Sequence, residues 1–189
     1  MWDERYELIN GHNWYRPLYY WEKRLARHRY DYVCEYIRRE VRPGMTVADV
    51  GCGYGTYWEA LKACGAKIYP YDIIPIEGVG YLDISKNRLP IQADLTICIG
   101  ILPYIAKWYE FFKNILPYTD KLLFDFLDKW NCLNALRRAV PALNVRKVHF
   151  QSKWEIGWAL TGGYPRFAKR GTGWMVEWKA GQNKAHPLF

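Results

Sequence analysis

What this sequence lacks narrows its chemistry first. Its five cysteines, Cys34, Cys52, Cys64, Cys98 and Cys132, are odd in number and contain no Cys-x-x-Cys pair. A disulfide framework or a zinc site would need such pairing, so no metal site is expected and the thiols should be reduced and mostly buried. Reduced thiols favour a cytoplasmic protein. No apolar run is long enough to span a bilayer: the most apolar stretch, residues 95 to 106, is broken by Gly100 and Pro103. Met1-Trp2-Asp3-Glu4-Arg5 is charged with no apolar run after it, so neither a signal peptide nor a membrane partner is expected. There is no internal repeat and no low-complexity linker. A length of 189 residues suits one folding domain. Within it, an aromatic and basic helical cap over residues 1–44 is expected to precede a core over residues 45–189.

Aromatic residues and positive charge are plentiful. Ten Trp and sixteen Tyr bring the aromatic share to 17%, an excess that can serve either a core or a flat binding surface. The net charge of +8 would steer an anionic substrate or nucleic acid, or would simply solvate the surface.

The densest signal is Val47-Ala48-Asp49-Val50-Gly51-Cys52-Gly53-Tyr54-Gly55-Thr56. An apolar strand runs through an acid into a glycine-paced turn, and a helix signal follows. Glycine lets a backbone bend sharply and leaves room for a ligand to lie against it. Such a strand–loop–helix unit is where α/β sheets hold nucleotide-like cofactors. The dinucleotide fingerprint wants a third glycine where Thr56 stands. Asp49 would also repel a pyrophosphate, whereas it suits a cofactor bearing positive charge. Thr56 and Glu59 form a capping-box pattern that opens a helix over residues 57–64, closed by Gly65.

The other elements follow from periodicity. Leu18, Trp21, Leu25, Tyr32, Tyr36 and Ile37 mark one stripe of a helix over residues 18–40. Strands are expected at 46–50, 67–71, 79–82, 95–99 and 121–126, with pairing of the second stopped by Pro70. An amphipathic helix carries Trp108, Phe111, Phe112, Ile115 and Leu116; another spans 130–140, and 145–150 is extended. A Ser152-x-x-Glu155 capping box opens a short helix that Gly162-Gly163 stops. Strands at 165–169 and 173–180, joined by Arg170-Gly171-Thr172, form a hairpin. The expected architecture is α/β: a three-layer Rossmann-like sandwich. Its seven-stranded sheet is mainly parallel, with one antiparallel strand near the C-terminus and helices on both faces.

The Asp-x-Gly-x-Gly-x-Gly pattern at 49–55 resembles motif I of the class I S-adenosylmethionine (SAM) methyltransferases, and the element order over residues 45–180 is similar to theirs. The resemblance implies SAM as cofactor and S-adenosylhomocysteine as product. It implies that Asp49 holds the methionine end through its ammonium, with Gly51, Cys52, Gly53 and Tyr54 forming the loop against the cofactor. Asp72 would accept from the ribose hydroxyls, with Ile73 packing on the adenine. Asp83 would accept from the adenine amino group, while the Ile84 backbone donates to the ring. Gly100 would meet the methionine moiety.

Methyl transfer from a sulfonium demands alignment above all, and a base only when the nucleophile must lose a proton at that step. Catalytic residues are therefore poorly marked; Tyr104 and His149 are the candidates. Amino-methylating nucleic-acid enzymes carry Asn/Asp-Pro-Pro-Tyr after the fourth strand, where this chain has Ile101-Leu102-Pro103-Tyr104. No Pro-Cys dipeptide is present for cytosine C5 chemistry, and Ile99-Gly100 stands where a ribose 2′-O enzyme places its Asp. A small-molecule or anionic acceptor, methylated on O or N, is the expectation. Trp14, Tyr15, Tyr19 and Tyr20 are candidates for a lid. Arg24, Arg27, His28, Arg29, Arg137 and Arg138, interleaved with tyrosines, keep RNA or an RNA-associated protein as an alternative target. A non-catalytic interaction module is the other alternative.

Overall fold

The computed structural model describes residues 19–140 and 148–181. The expected lid residues Trp14 and Tyr15, the side chains of Tyr19 and Tyr20, and positions 145–147 of the extended piece lie outside the described residues. In chain order the elements are α1 (Tyr19–Glu40), β1 (Thr46–Val50), α2 (Trp58–Ala63), β2 (Lys67–Asp72), β3 (Gly80–Tyr81), β4 (Leu95–Cys98), α3 (Trp108–Ile115), β5 (Lys121–Leu127), α4 (Cys132–Ala139), α5 (Lys153–Ala159), β6 (Gly163–Arg170) and β7 (Gly173–Ala180). A 3-10 turn, Leu102–Tyr104, follows β4.

The strands form one sheet in the order β3-β2-β1-β4-β5-β7-β6. β1 to β5 pair in parallel, and β7 is antiparallel to both β5 and β6. One strand is thus reversed, as expected. The order turns between β1 and β4, which opens a crevice at the carboxyl ends of those two strands.

Alternation along the parallel strands supplies both faces of the sheet. Leu122, Phe124 and Phe126 of β5 face the layer holding Phe111, Phe112 and Ile115 of α3 and Ile156, Ala159 and Leu160 of α5. Leu123 faces the opposite layer, with Val33, Tyr36 and Ile37 of α1 and Leu61 of α2. Tilted and edge-to-face contacts among Phe111, Phe112 and Phe124, at centroid separations of 5.0 to 6.1 Å, lock α3 onto the sheet.

Several local expectations change. The α1 stripe holds at Tyr36 and Ile37, buried with Val33 and Cys34, but Leu25 is exposed; Leu18 and the Trp21 side chain lie outside the described residues. The first half of α1 runs past the carboxyl edge of the sheet, bringing Leu25 against the β6–β7 turn at Gly171 rather than into the core. Pro70 does not stop β2, which continues to Asp72 with Pro70 opposite Asp49 of β1. The Tyr71 carbonyl accepts from the Gly51 N–H on the β1 side. Alternation therefore turns the Pro70 nitrogen towards β3, whose pairing begins only at Tyr71. α2 starts at Trp58 with Tyr57 as an N-cap that makes no side-chain cap bond, one residue beyond the Thr56–Glu59 signal. β3 is only two residues long, and β6 is longer than expected. α4 begins at Cys132 behind an Asn131 cap. The Ser152–Glu155 capping box forms in full.

Candidate cofactor site

β1 delivers Asp49 to the floor of the crevice. It is buried, and its Oδ2 accepts from Trp58 Nε1 at 2.9 Å. No cationic side chain among the described residues pairs with it. Burial pushes its pKa up to about 7; the Trp58 bond opposes that rise and the nearby Asp72 charge adds to it. A desolvated carboxylate without a cation is costly to ionise, and a cationic group beside it would lower that cost.

The loop after β1 is built by backbone. The N–H groups of Gly51 and Cys52 both donate to the Tyr71 carbonyl, at 2.7 and 3.1 Å, tying the turn to the end of β2. Gly51 has φ +68, and a Cβ there would stand 1.9 Å from Ile101 Cδ1. Gly53 has φ +50, and a Cβ there would meet nothing within 4 Å. The first glycine is required by its neighbour; the second faces open space over which a ligand can lie. The Cys52 thiol is buried and pushed up to about 12 by burial, with Asp49 and Asp72 adding to the rise, so it is no nucleophile. Tyr54 is exposed on the rim.

Asp72, the last residue of β2, is buried and fixed from two sides. Its Oδ2 accepts from the Gly53 N–H at 2.8 Å and its Oδ1 from the Ile74 N–H at 3.0 Å. Each oxygen keeps a lone pair for hydroxyl donors. Ile73 and Ile74 beside it are exposed, an apolar shelf at the strand end. Asp83 is more committed than Asp72: its Oδ1 accepts from both Ser85 N and Ser85 Oγ, and Lys86 Nζ lies 2.8 Å from Oδ2. The Lys86 ammonium, helped by Ser85, holds the Asp83 carboxyl below the usual carboxylate range. The Ile84 side chain is buried in the core, leaving only its backbone to serve a ligand.

Across the crevice, Gly100 has φ +78 and its N–H donates to Asp125 Oδ1 at 2.6 Å. The other oxygen of Asp125 accepts from Arg29 Nη1 of α1 at 3.2 Å. Spacing gave no sign of this bridge, whose partners are ninety-six residues apart. Tyr104 is exposed in the 3-10 turn, and the backbone N–H of exposed His149 donates to the carbonyl of the preceding Pro103 at 2.7 Å. The two catalytic candidates are thus neighbours along one rim.

Farther on, Asp128 joins Lys169 and the Trp174 indole at Oδ2, while Asn134 Nδ2 donates to the carbonyls of Asp128 and Thr172. Among the basic residues of interest for nucleic acid, Arg27 pairs with Asp31 and Arg138 donates to the Lys129 carbonyl. The Arg137 side chain lies outside the described residues. No group of metal-ligating side chains occurs among the described residues. No helix there is long and apolar enough to cross a membrane.

No protein-family model matches the sequence, and no curated protein is similar to it in sequence. The fold has many solved counterparts. Magnesium protoporphyrin IX methyltransferase of Synechocystis, with bound SAM, superposes with a TM-score of 0.69 at 18% identity, covering 94% of this chain and 90% of that one. The N-methyltransferase NodS of Bradyrhizobium japonicum, bound to S-adenosylhomocysteine, gives 0.62 at 11% identity, with coverages of 84% and 88%. A Haloferax volcanii complex of the Trm112 activator and its methyltransferase partner gives 0.58 at 13% identity, with coverages of 82% and 95%. The seven-stranded sheet with its reversed strand near the C-terminus matches such structures: the chain has the fold of the class I SAM-dependent methyltransferases.

Proposed function

We propose that this protein is a SAM-dependent methyltransferase acting on an O or N atom of a small-molecule or anionic acceptor. The observation that carries the reading is the pairing of a buried, cation-free carboxylate at Asp49 with the open backbone at Gly53. The residues suit the cofactor part by part. Asp49 would take the ammonium of the methionine end. Asp72, oriented by two N–H groups, would take ribose hydroxyls, and exposed Ile73 would cover one adenine face. Asp83, shared with Ser85 and Lys86, and the Ile84 backbone would meet the adenine edge.

When bound, SAM supplies an electrophilic methyl group on a sulfonium, open to direct displacement. The chain's own work is then alignment. Asp49 fixes one end of the ligand and Asp72 the middle. The Gly100 turn, held by Asp125, sets the wall facing the acceptor. Burying Asp49 and its ammonium partner together makes their attraction stronger than it would be in water. Tyr104 and His149 are the candidates for a role in proton transfer if the acceptor must lose one, the imidazole as base and the phenol only once ionised.

Titration calorimetry with SAM and S-adenosylhomocysteine tests the reading. Micromolar binding of both is expected, followed by methyl transfer from labelled SAM to members of a carboxylate- or phosphate-bearing acceptor panel. Absence of binding at millimolar ligand would overturn it and leave a methyltransferase-like interaction module.

A further inference from the structure

A methionine end carries two charges, and Asp49 answers only the positive one. We infer that Arg29 is the anchor for the negative one: its guanidinium, braced by Asp125, takes the carboxylate of the cofactor's amino-acid end. This rests on the SAM reading above.

Three observations place Arg29 there. Its Nη1 would lie 3.8 Å from a Cβ built on Gly100, so the guanidinium borders the crevice where the strand order turns. Tyr57, which follows the glycine loop, and Tyr104, which follows β4, both lie near enough to act on the Arg29 charge. Asp125 is engaged on one side by the Gly100 N–H and on the other by Arg29 Nη1. Among the described residues, Nη1 is the only guanidinium atom seen to donate. The side chain as a whole keeps 41% of its surface exposed.

Asp125 also orients the fork. A guanidinium held at one nitrogen is preorganised to present its remaining donors as a pair, the geometry that suits a carboxylate. Asp49 on the floor and Arg29 on the wall then form a complement to a zwitterion. Two opposite charges at fixed separation select an α-amino acid end over a simple amine.

The test compares two ligands on the intact chain: S-adenosylhomocysteine and its decarboxylated analogue, S-adenosyl-3-thiopropylamine. Arg29→Gln should weaken S-adenosylhomocysteine about 10- to 100-fold while leaving the analogue within about twofold, since one charge-assisted pair is removed only where a carboxylate is present. Arg29→Lys should recover part of the loss. If both ligands weaken equally, the residue acts through fold or loop position and the inference fails. It fails as well if neither changes while the wild-type chain binds S-adenosylhomocysteine normally. A wild-type chain that binds neither ligand overturns the SAM reading itself, and this inference with it.

Discussion

The two halves of the sheet's carboxyl edge hold their carboxylates in different ways. On the β1–β2–β3 side, Asp72 is held by two backbone N–H groups, and Asp83 largely by its own turn at Ser85 and Lys86. On the β4–β5–β7 side, Asp125 meets a guanidinium from α1, and Asp128 meets an ammonium and an indole from the terminal hairpin. Partners of the first kind lie within about twenty residues; the side-chain partners of the second are 41 to 96 residues away, added to backbone donors at Gly100 and Trp130. The first half is built from local contacts, and on the proposed reading it is the part that takes the cofactor. The second is assembled by the fold and is free to differ with the acceptor.

The largest effect should come from breaking the local half. Asp72→Ala removes two charge-assisted bonds and the ribose acceptor together. Calorimetry should show S-adenosylhomocysteine affinity falling by 100-fold or more, worth about 3 kcal/mol.

Next is pH. Asp49, raised to about 7 by burial, can bind an ammonium only when ionised, so cofactor affinity should fall about tenfold per pH unit below about 7. The free protein should respond in the opposite sense. Its folded pKa is raised above the unfolded value near 4, so this group's contribution to stability is full below about 4 and is lost as pH rises to about 7. Asp49→Asn should flatten both profiles, read by titration and by thermal melts.

The two loop glycines sharpen the contrast further. Gly51→Ala puts a Cβ onto Ile101 at positive φ and should cost about 2 to 3 kcal/mol of stability in urea. Gly53→Ala meets open space and should cost about 1 kcal/mol, yet it should weaken cofactor binding more than its stability loss suggests.

On the assembled half, Asp128→Ala strands the Trp174 indole and Lys169 and should lose about 2 kcal/mol with cofactor affinity unchanged. The smallest effect belongs to neither half. Arg27 and Asp31 are each about half exposed, and Asp31→Asn should shift stability by no more than about 0.5 kcal/mol.

This division also marks how far the sequence could be read. Asp49, Gly51, Gly53 and Asp72 were legible because a strand, a turn and the next strand end place them by spacing alone. The structure brings these four together, and the Ser152–Glu155 box forms because a capping box needs only four consecutive residues. Arg29 carried no such signal. In sequence it is one of several arginines on a helix, and only the run of α1 past the sheet edge sets it beside Asp125. The same run explains Leu25, whose periodicity pointed to a core that the helix has already left. Pro70 misled for a related reason: its effect depends on which neighbour its nitrogen faces, and that is a property of the sheet.

Both outermost strands resist being copied. β3 offers two residues, and β6 carries Pro165 with Arg166, Lys169 and Arg170 along its length. A chain emerging in a crowded cell therefore presents no long flat rim on which another strand could polymerise. Among the described residues, the apolar interior of the sheet is thus bounded by one very short edge and one broken by proline and positive charge.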